Sequence, residues 1–178
     1  MTGCVPAVPA KGAAWLLLVV AILALTACPF SSDLPLSSPA DATMDNALLG
    51  RWRAQDPDTG QWTTMTFVSF NDREYVAWMA EPDGKIEMFR AFVTVIDGER
   101  FLNARELDSP DNRSWSYVNY RLAGDTMSLR FVDDEIFSSH TFSSSDALRE
   151  LVREHLHDPR LYSSDRGKSV MEWQRASN

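Results

Sequence analysis

The stretch KIEMFRAFVTVI, Lys85 to Ile96, decides the fold. Successive side chains of an extended chain point to opposite faces, so Ile86, Met88, Phe92 and Ile96 share one side and Phe89, Ala91, Val93 and Val95 the other. A strand that is apolar on both sides needs cover on both, which places it centrally in a sheet. Asp97-Gly98 follows, a two-residue hairpin signal, and Glu99 to Leu107 runs back beside it.

Working outward, short apolar stretches alternate with turn chemistry about every ten residues, the spacing of an antiparallel meander. Leu48 to Gln55 reads as the first strand, ended by Asp56-Pro57-Asp58-Thr59-Gly60. Trp62 to Phe70 is the second, and its alternation slips between Met65/Phe67 and Val68/Phe70, which predicts a bulge. Asn71-Asp72-Arg73 turns into Glu74 to Ala80, and Pro82-Asp83-Gly84 turns into the central strand. Beyond the polar loop Asp108 to Arg113, strands are expected at Trp115 to Leu122 and Thr126 to Val132, around Ala123-Gly124-Asp125, and then at Ile136 to Phe142. Leu148, Leu151, Val152 and Leu156 fall at helical spacing behind Ser145, a candidate cap. Asp158-Pro159 ends that helix, Leu161-Tyr162 pack back, and Ser169 to Gln174 is the last strand. The expected fold is all-β: an antiparallel up-and-down barrel or strongly curved sheet of about eight to nine strands, with one short C-terminal helix before the last.

The 178 residues have room for one such domain, and 44% apolar content is ordinary for a chain that buries a core. Its 17 basic and 25 acidic residues leave a net charge of -8, which repels phosphate backbones and makes nucleic acid a poor partner. The only cysteines, Cys4 and Cys28, lie in or beside an apolar segment, so the globular part has neither a disulfide nor a thiolate metal site. That segment, AAWLLLVVAILALTA from Ala13 to Ala27, has the length of a secretion leader. A bilayer-spanning helix needs about 20 residues.

Leu25-Thr26-Ala27-Cys28 resembles the lipobox of bacterial lipoproteins. The resemblance implies cleavage before Cys28, a diacylglycerol on its thiol and usually a third acyl chain on the new amino terminus. Residues 1–27 are then a signal peptide, and removing Lys11 with them brings the charge to -9. Residues 28–46 are the lipidated cysteine and a flexible tether, since Phe30 to Asn46 is rich in Ser, Pro, Ala and Asp without a period. Residues 47–178 form the β-barrel-like domain. Pro29 after the cysteine, where retained inner-membrane lipoproteins of enteric bacteria carry Asp, favours the outer membrane facing the periplasm.

Gly50-Arg51-Trp52 resembles the G-x-W signature of lipocalin-like, or calycin, barrels. The resemblance implies that Trp52 plugs the closed end and stacks with a late arginine, for which Arg175 is the candidate. Another antiparallel barrel or sheet remains the alternative.

The residues offer little for catalysis, and no catalytic residue, cofactor or metal ligand is assigned. His155 and His157 lie two apart by a helix end and cannot face one metal, and His140 alternates along an expected strand. Asp56-x-Asp58-x-Gly60 lacks the third acid and closing glutamate of a calcium loop, Asp133-Asp134-Glu135 reads as a solvated corner, and Asn112-Arg113-Ser114 is a glycosylation sequon in form only. Trp62, Trp78, Met88, Phe92, Trp115 and Tyr117 are candidate linings for an apolar ligand inside the barrel. The expected role is that of an envelope lipoprotein attached through its lipid and binding a hydrophobic small molecule or lipid. A protein partner in an envelope complex is the alternative.

Overall fold

In the computed structural model, residues 29–108, 114–162 and 170–176 are described. Nine strands, β1 (Ser31–Ser32), β2 (Gly50–Gln55), β3 (Trp62–Ser69), β4 (Glu74–Ala80), β5 (Ile86–Ile96), β6 (Glu99–Glu106), β7 (Trp115–Ala123), β8 (Thr126–Phe131) and β9 (Met171–Arg175), are joined by one helix, α1 (Ser145–Glu154). Every pairing is antiparallel, in the order β7-β6-β5-β4-β3-β2-β9-β8, and β8 pairs again with β7. The sheet is therefore a closed eight-stranded barrel, consistent with a calycin-like fold, and β1 is an extra strand at the start of β7. Closure leaves the barrel strands no free edge.

Up-and-down connections separate two ends. The β3–β4, β5–β6 and β7–β8 turns lie at one end, together with the chain entering β2; the β2–β3, β4–β5, β6–β7 and β8–β9 connections lie at the other. The β5–β6 turn is tight because Asp97 and Gly98 both take positive φ, 48° and 86°, which matches the twist of the flanking strands.

Two cores share this wall. Trp52, Phe67, Tyr75, Val93, Tyr120 and Trp173 are among the side chains that pack inside the barrel. Phe92, Phe101, Trp115 and Tyr117 point outward from β5, β6 and β7 and are covered by Leu36, Phe137, α1 and Leu161. From Ala91 to Thr94 the central strand is buried on both faces because it has a core on each. In α1 the buried Leu148, Leu151 and Val152 face that outer core, and the cap is Ser144, one residue before the expected Ser145, its Oγ accepting from the Ala147 N–H at 3.2 Å.

Three expectations are corrected. Phe30 to Asn46 is not a loose tether but a strap pinned along the outside of the barrel. Phe30 stacks on Phe137 with ring centroids 4.1 Å apart, Leu36 N–H donates to Asn103 Oδ1 at 2.7 Å, and Ser37 Oγ bonds Thr94 Oγ1 at 2.6 Å. Leu36 is fully buried. Its bonds run to side chains of β5 and β6, so no sequence period announces them. Ile136 to Phe142 is not a strand: Phe137 and Ser138 N–H both donate to the Asp134 carbonyl, a turn that drops Phe137 into the outer core. The bulge in β3 is absent, because its register with β2 and β4 runs unbroken, and Val68 is simply exposed. The expectations for residues 1–28, for most of the Asp108 to Arg113 loop with Asn112, and for Ser169 fall outside the described residues.

Candidate functional site

The closed end is built around three residues. Trp52 is fully buried and its Nε1–H donates to the Leu48 carbonyl at 2.8 Å. The Arg175 guanidinium lies 4.2 Å over its ring and donates to the Leu49 and Ala47 carbonyls at 2.9 and 2.7 Å, tying the turn Asn46–Leu48 across the end. Gly50 makes room for it: with φ at 116°, a Cβ there would sit 3.1 Å from Arg175 Nη1. Asp45 completes the plug, since its N–H donates to Tyr75 Oη at 2.6 Å and its carboxylate accepts from Tyr120 Oη at 2.9 Å. Burial pushes the Tyr75 phenol up to about 12, and burial together with the Asp45 carboxylate raises Tyr120 as well.

The other end differs. Register fixes which side chains face inward: Met65 and Met79 continue the row of Trp52, Phe89 continues that of Phe67 and Ala77, Phe131 pairs with Val118, and Met171 with Leu129. All five are only half-buried, whereas Trp52, Phe67, Leu129 and Trp173 are buried. These half-buried inward side chains give the end opposite the plug an apolar mouth lined by three methionines and two phenylalanines. Deeper inside, Trp173 Nε1 is a buried donor with no acceptor in the structure. Glu87 and Glu106 also stand at inward positions near the mouth, Glu87 paired with Lys85 at 2.5 Å.

None of the six aromatic and methionine residues expected to line the interior does so. Trp62, Trp78 and Met88 lie on the outer face of β3, β4 and β5, where Trp62 is 44% exposed and carries the Arg53 guanidinium 4.7 Å over its ring. Phe92, Trp115 and Tyr117 lie under the strap; Phe92 and Trp115 meet edge to face at 5.3 Å, and Tyr117 Oη donates to the Leu34 carbonyl. Sequence reasoning missed the lining because both faces of the central strands are apolar, and only the pairing register separates in from out. Trp52 and Arg175 meet as the G-x-W resemblance implies, and Cys28 lies outside the described residues.

The remaining polar candidates do not converge. Asp56 Oδ1 accepts from the Asp58 and Thr59 N–H groups at 2.9 Å, a hairpin turn. His140 Nδ1 bonds the Ile136 carbonyl at 3.1 Å, while His155 stands 3.7 Å from Asp158 and His157 is exposed. Asp133 is buried rather than solvated, its carboxylate accepting from Glu135 N–H. A polar surface pocket of about 250 Å3 is lined by Glu99, Arg121, Arg130, His157, Asp158 and Tyr162. Its charges neutralise one another: the Arg121 hydrogen bond holds the Glu99 carboxyl below its ordinary range, and Arg130 stacks 3.9 Å over Tyr162. Among the described residues no three His, Cys, Asp or Glu side chains group as metal ligands, and no helix is long and apolar enough to cross a membrane.

No family model, characterised protein or solved structure matches this chain.

Proposed function

We propose that this protein is a lipid-anchored envelope lipoprotein, acylated at Cys28, whose barrel binds an apolar chain through its methionine-lined mouth. The observation that carries the ligand reading is the half-burial of Met65, Met79, Phe89, Phe131 and Met171 at inward positions above a plugged end. Unbranched methionine side chains adapt to flexible hydrocarbon, and the unpaired Trp173 indole N–H offers a donor to an ester or amide oxygen. The inward Glu106 position favours a neutral head group over a carboxylate. The anchor rests on the Leu25-Thr26-Ala27-Cys28 lipobox, and the outer membrane facing the periplasm is the proposed address.

Both cores and all nine strands lie after Cys28, so a secreted form starting at Pro29 retains every described contact. Titrating it with a monoacylglycerol brominated along its chain tests the ligand reading. Saturable quenching of the interior tryptophans, lost in Met79→Asp, is the expected result. A barrel that purifies without lipid and whose fluorescence ignores the brominated chain overturns it.

A protein partner is the second reading, favoured by the uncovered outer face where Trp62, Ile86 at 58% and Met88 at 36% are exposed. Arg51 and Arg53 border it, which suits an acidic, apolar segment of another envelope protein. Crosslinking from Met88 in intact cells tests it: one stoichiometric envelope protein supports this reading, and uncrosslinked monomer removes it.

A further inference from the structure

The strap changes what an anchor at Cys28 does. Pro29 bridges Asp133, and Phe30 N–H donates to the Val132 carbonyl at 2.8 Å, just past the mouth end of β8. Ser31 and Ser32 then pair with Ser116 and Trp115, where β7 leaves the mouth. From there the chain descends the outer wall, past Asn103 and Thr94, to Asp45 at the plugged end. The residue that follows Cys28 is thus fixed at the rim of the mouth, and the 17 residues that looked like slack are bound to the barrel. Cys28 is bonded directly to Pro29, so no spare chain separates an acylated thiol there from the rim.

We infer that the acylated protein sits on its bilayer mouth first, and that the apolar chain it takes is a lipid drawn from the same leaflet. This rests on the reading above, of which it names the ligand's source and the route. A long leash would let the barrel tumble, with its mouth opening to water. A one-residue link holds the apolar lining of Met65, Met79 and Met171 close to the hydrocarbon from which a chain must slide, which shortens its exposure to water. Rim acids select the kind of surface. Asp58, Glu81, Asp83, Asp108 and Asp134 stand in the mouth-end connections with Lys85 among them, so zwitterionic headgroups suit this end and anionic ones repel it.

Orientation is read with two labels on the full-length, natively acylated protein in phosphatidylcholine–phosphatidylethanolamine vesicles. A fluorophore at Asp83→Cys marks the mouth, and one at Asp72→Cys marks the plugged end, about 20 Å away for strands of this length and tilt. A headgroup spin label should quench the first and leave the second at its vesicle-free intensity. Inserting 20 Gly/Ser residues between Cys28 and Pro29, a coil of about 25 Å, should abolish the difference. Equal quenching of the two labels, or a difference that survives the insertion, overturns the inference. Mass spectrometry separates the two readings: an unacylated Cys28 sinks the anchor and the orientation together, whereas an acylated protein with equal quenching sinks the orientation alone. Brominated lipid in the vesicles should quench the interior tryptophans of the native form, and failure there, when free monoacylglycerol quenches the secreted form, removes the bilayer as the source.

Discussion

The two ends of this barrel are made from the same eight strands and differ in what happens to inward side chains. At one end Trp52, Tyr75 and Tyr120 are fully buried, and every side-chain polar atom they carry is bonded, that of Trp52 to Leu48 and those of the two tyrosines to Asp45. At the other, inward methionines and phenylalanines stay half-buried. The plugged end spends its residues on closing the wall, and the mouth leaves apolar surface that contributes little to folding. On the proposed reading, stability and binding are thereby separated along the barrel axis, and substitutions should tell the ends apart.

The largest expected effect is at the plug. Trp52→Ala removes a ring that fills the barrel floor and should cost about 3–5 kcal/mol, read as a fall in the urea midpoint with an unchanged slope. An equal cost for Met79→Ala would erase the contrast. Arg175→Met comes next, at about 2 kcal/mol, because the Ala47 and Leu49 carbonyls lose a charged donor and Trp52 loses its cation. Rescue by Lys should be partial, since an ammonium cannot stack and fork in the same way.

Alkali should act on the same end. The folded pKa of Tyr75 lies near 12, above the ordinary 10, so the folded state holds its proton more tightly than the unfolded chain does. That stability is fully present below about pH 10 and drains as pH rises through 12, with Tyr120 acting in the same direction. Thermal scans from pH 8 to 12 should show it, and Tyr75→Phe with Tyr120→Phe should flatten the decline; a decline unchanged in the double variant places the sensitive group elsewhere. The smallest effect belongs to the mouth. Met79→Ala should change stability by about 1 kcal/mol or less, because an open site refills with water instead of leaving a cavity, while affinity for a monoacylglycerol falls measurably.

The plug was legible in the sequence and the mouth was not, for a physical reason. Gly50, Trp52 and Arg175 are constrained by contacts that few other residues satisfy, so three positions signal them. The hairpins were legible too, since Pro82-Asp83-Gly84 and Asp97-Gly98 act locally. In from out is different. Lys85 to Ile96 reads correctly as a strand, covered on both sides from Ala91 to Thr94, yet nothing in it says that Phe92 faces the strap and Phe89 the mouth; that depends on pairing with β4 and β6. The strap itself was hidden because Ser37 and Leu36 are held by Thr94 and Asn103, partners nearly 60 residues away or more. Ile136 to Phe142 alternates like a strand by accident, for its turn buries the neighbours Ile136 and Phe137 together and packs Phe142 beside them.

The place of β9 carries one more consequence. It lies between β2 and β8, the first and last of the other barrel strands, and brings Arg175 to Trp52. Until β9 docks, both neighbours present bare backbone and the tryptophan lacks its cation. Closure therefore waits on the last barrel strand: β2 to β8 can zip together in chain order, yet they stay an unshut sheet until β9 docks between the two outermost of them.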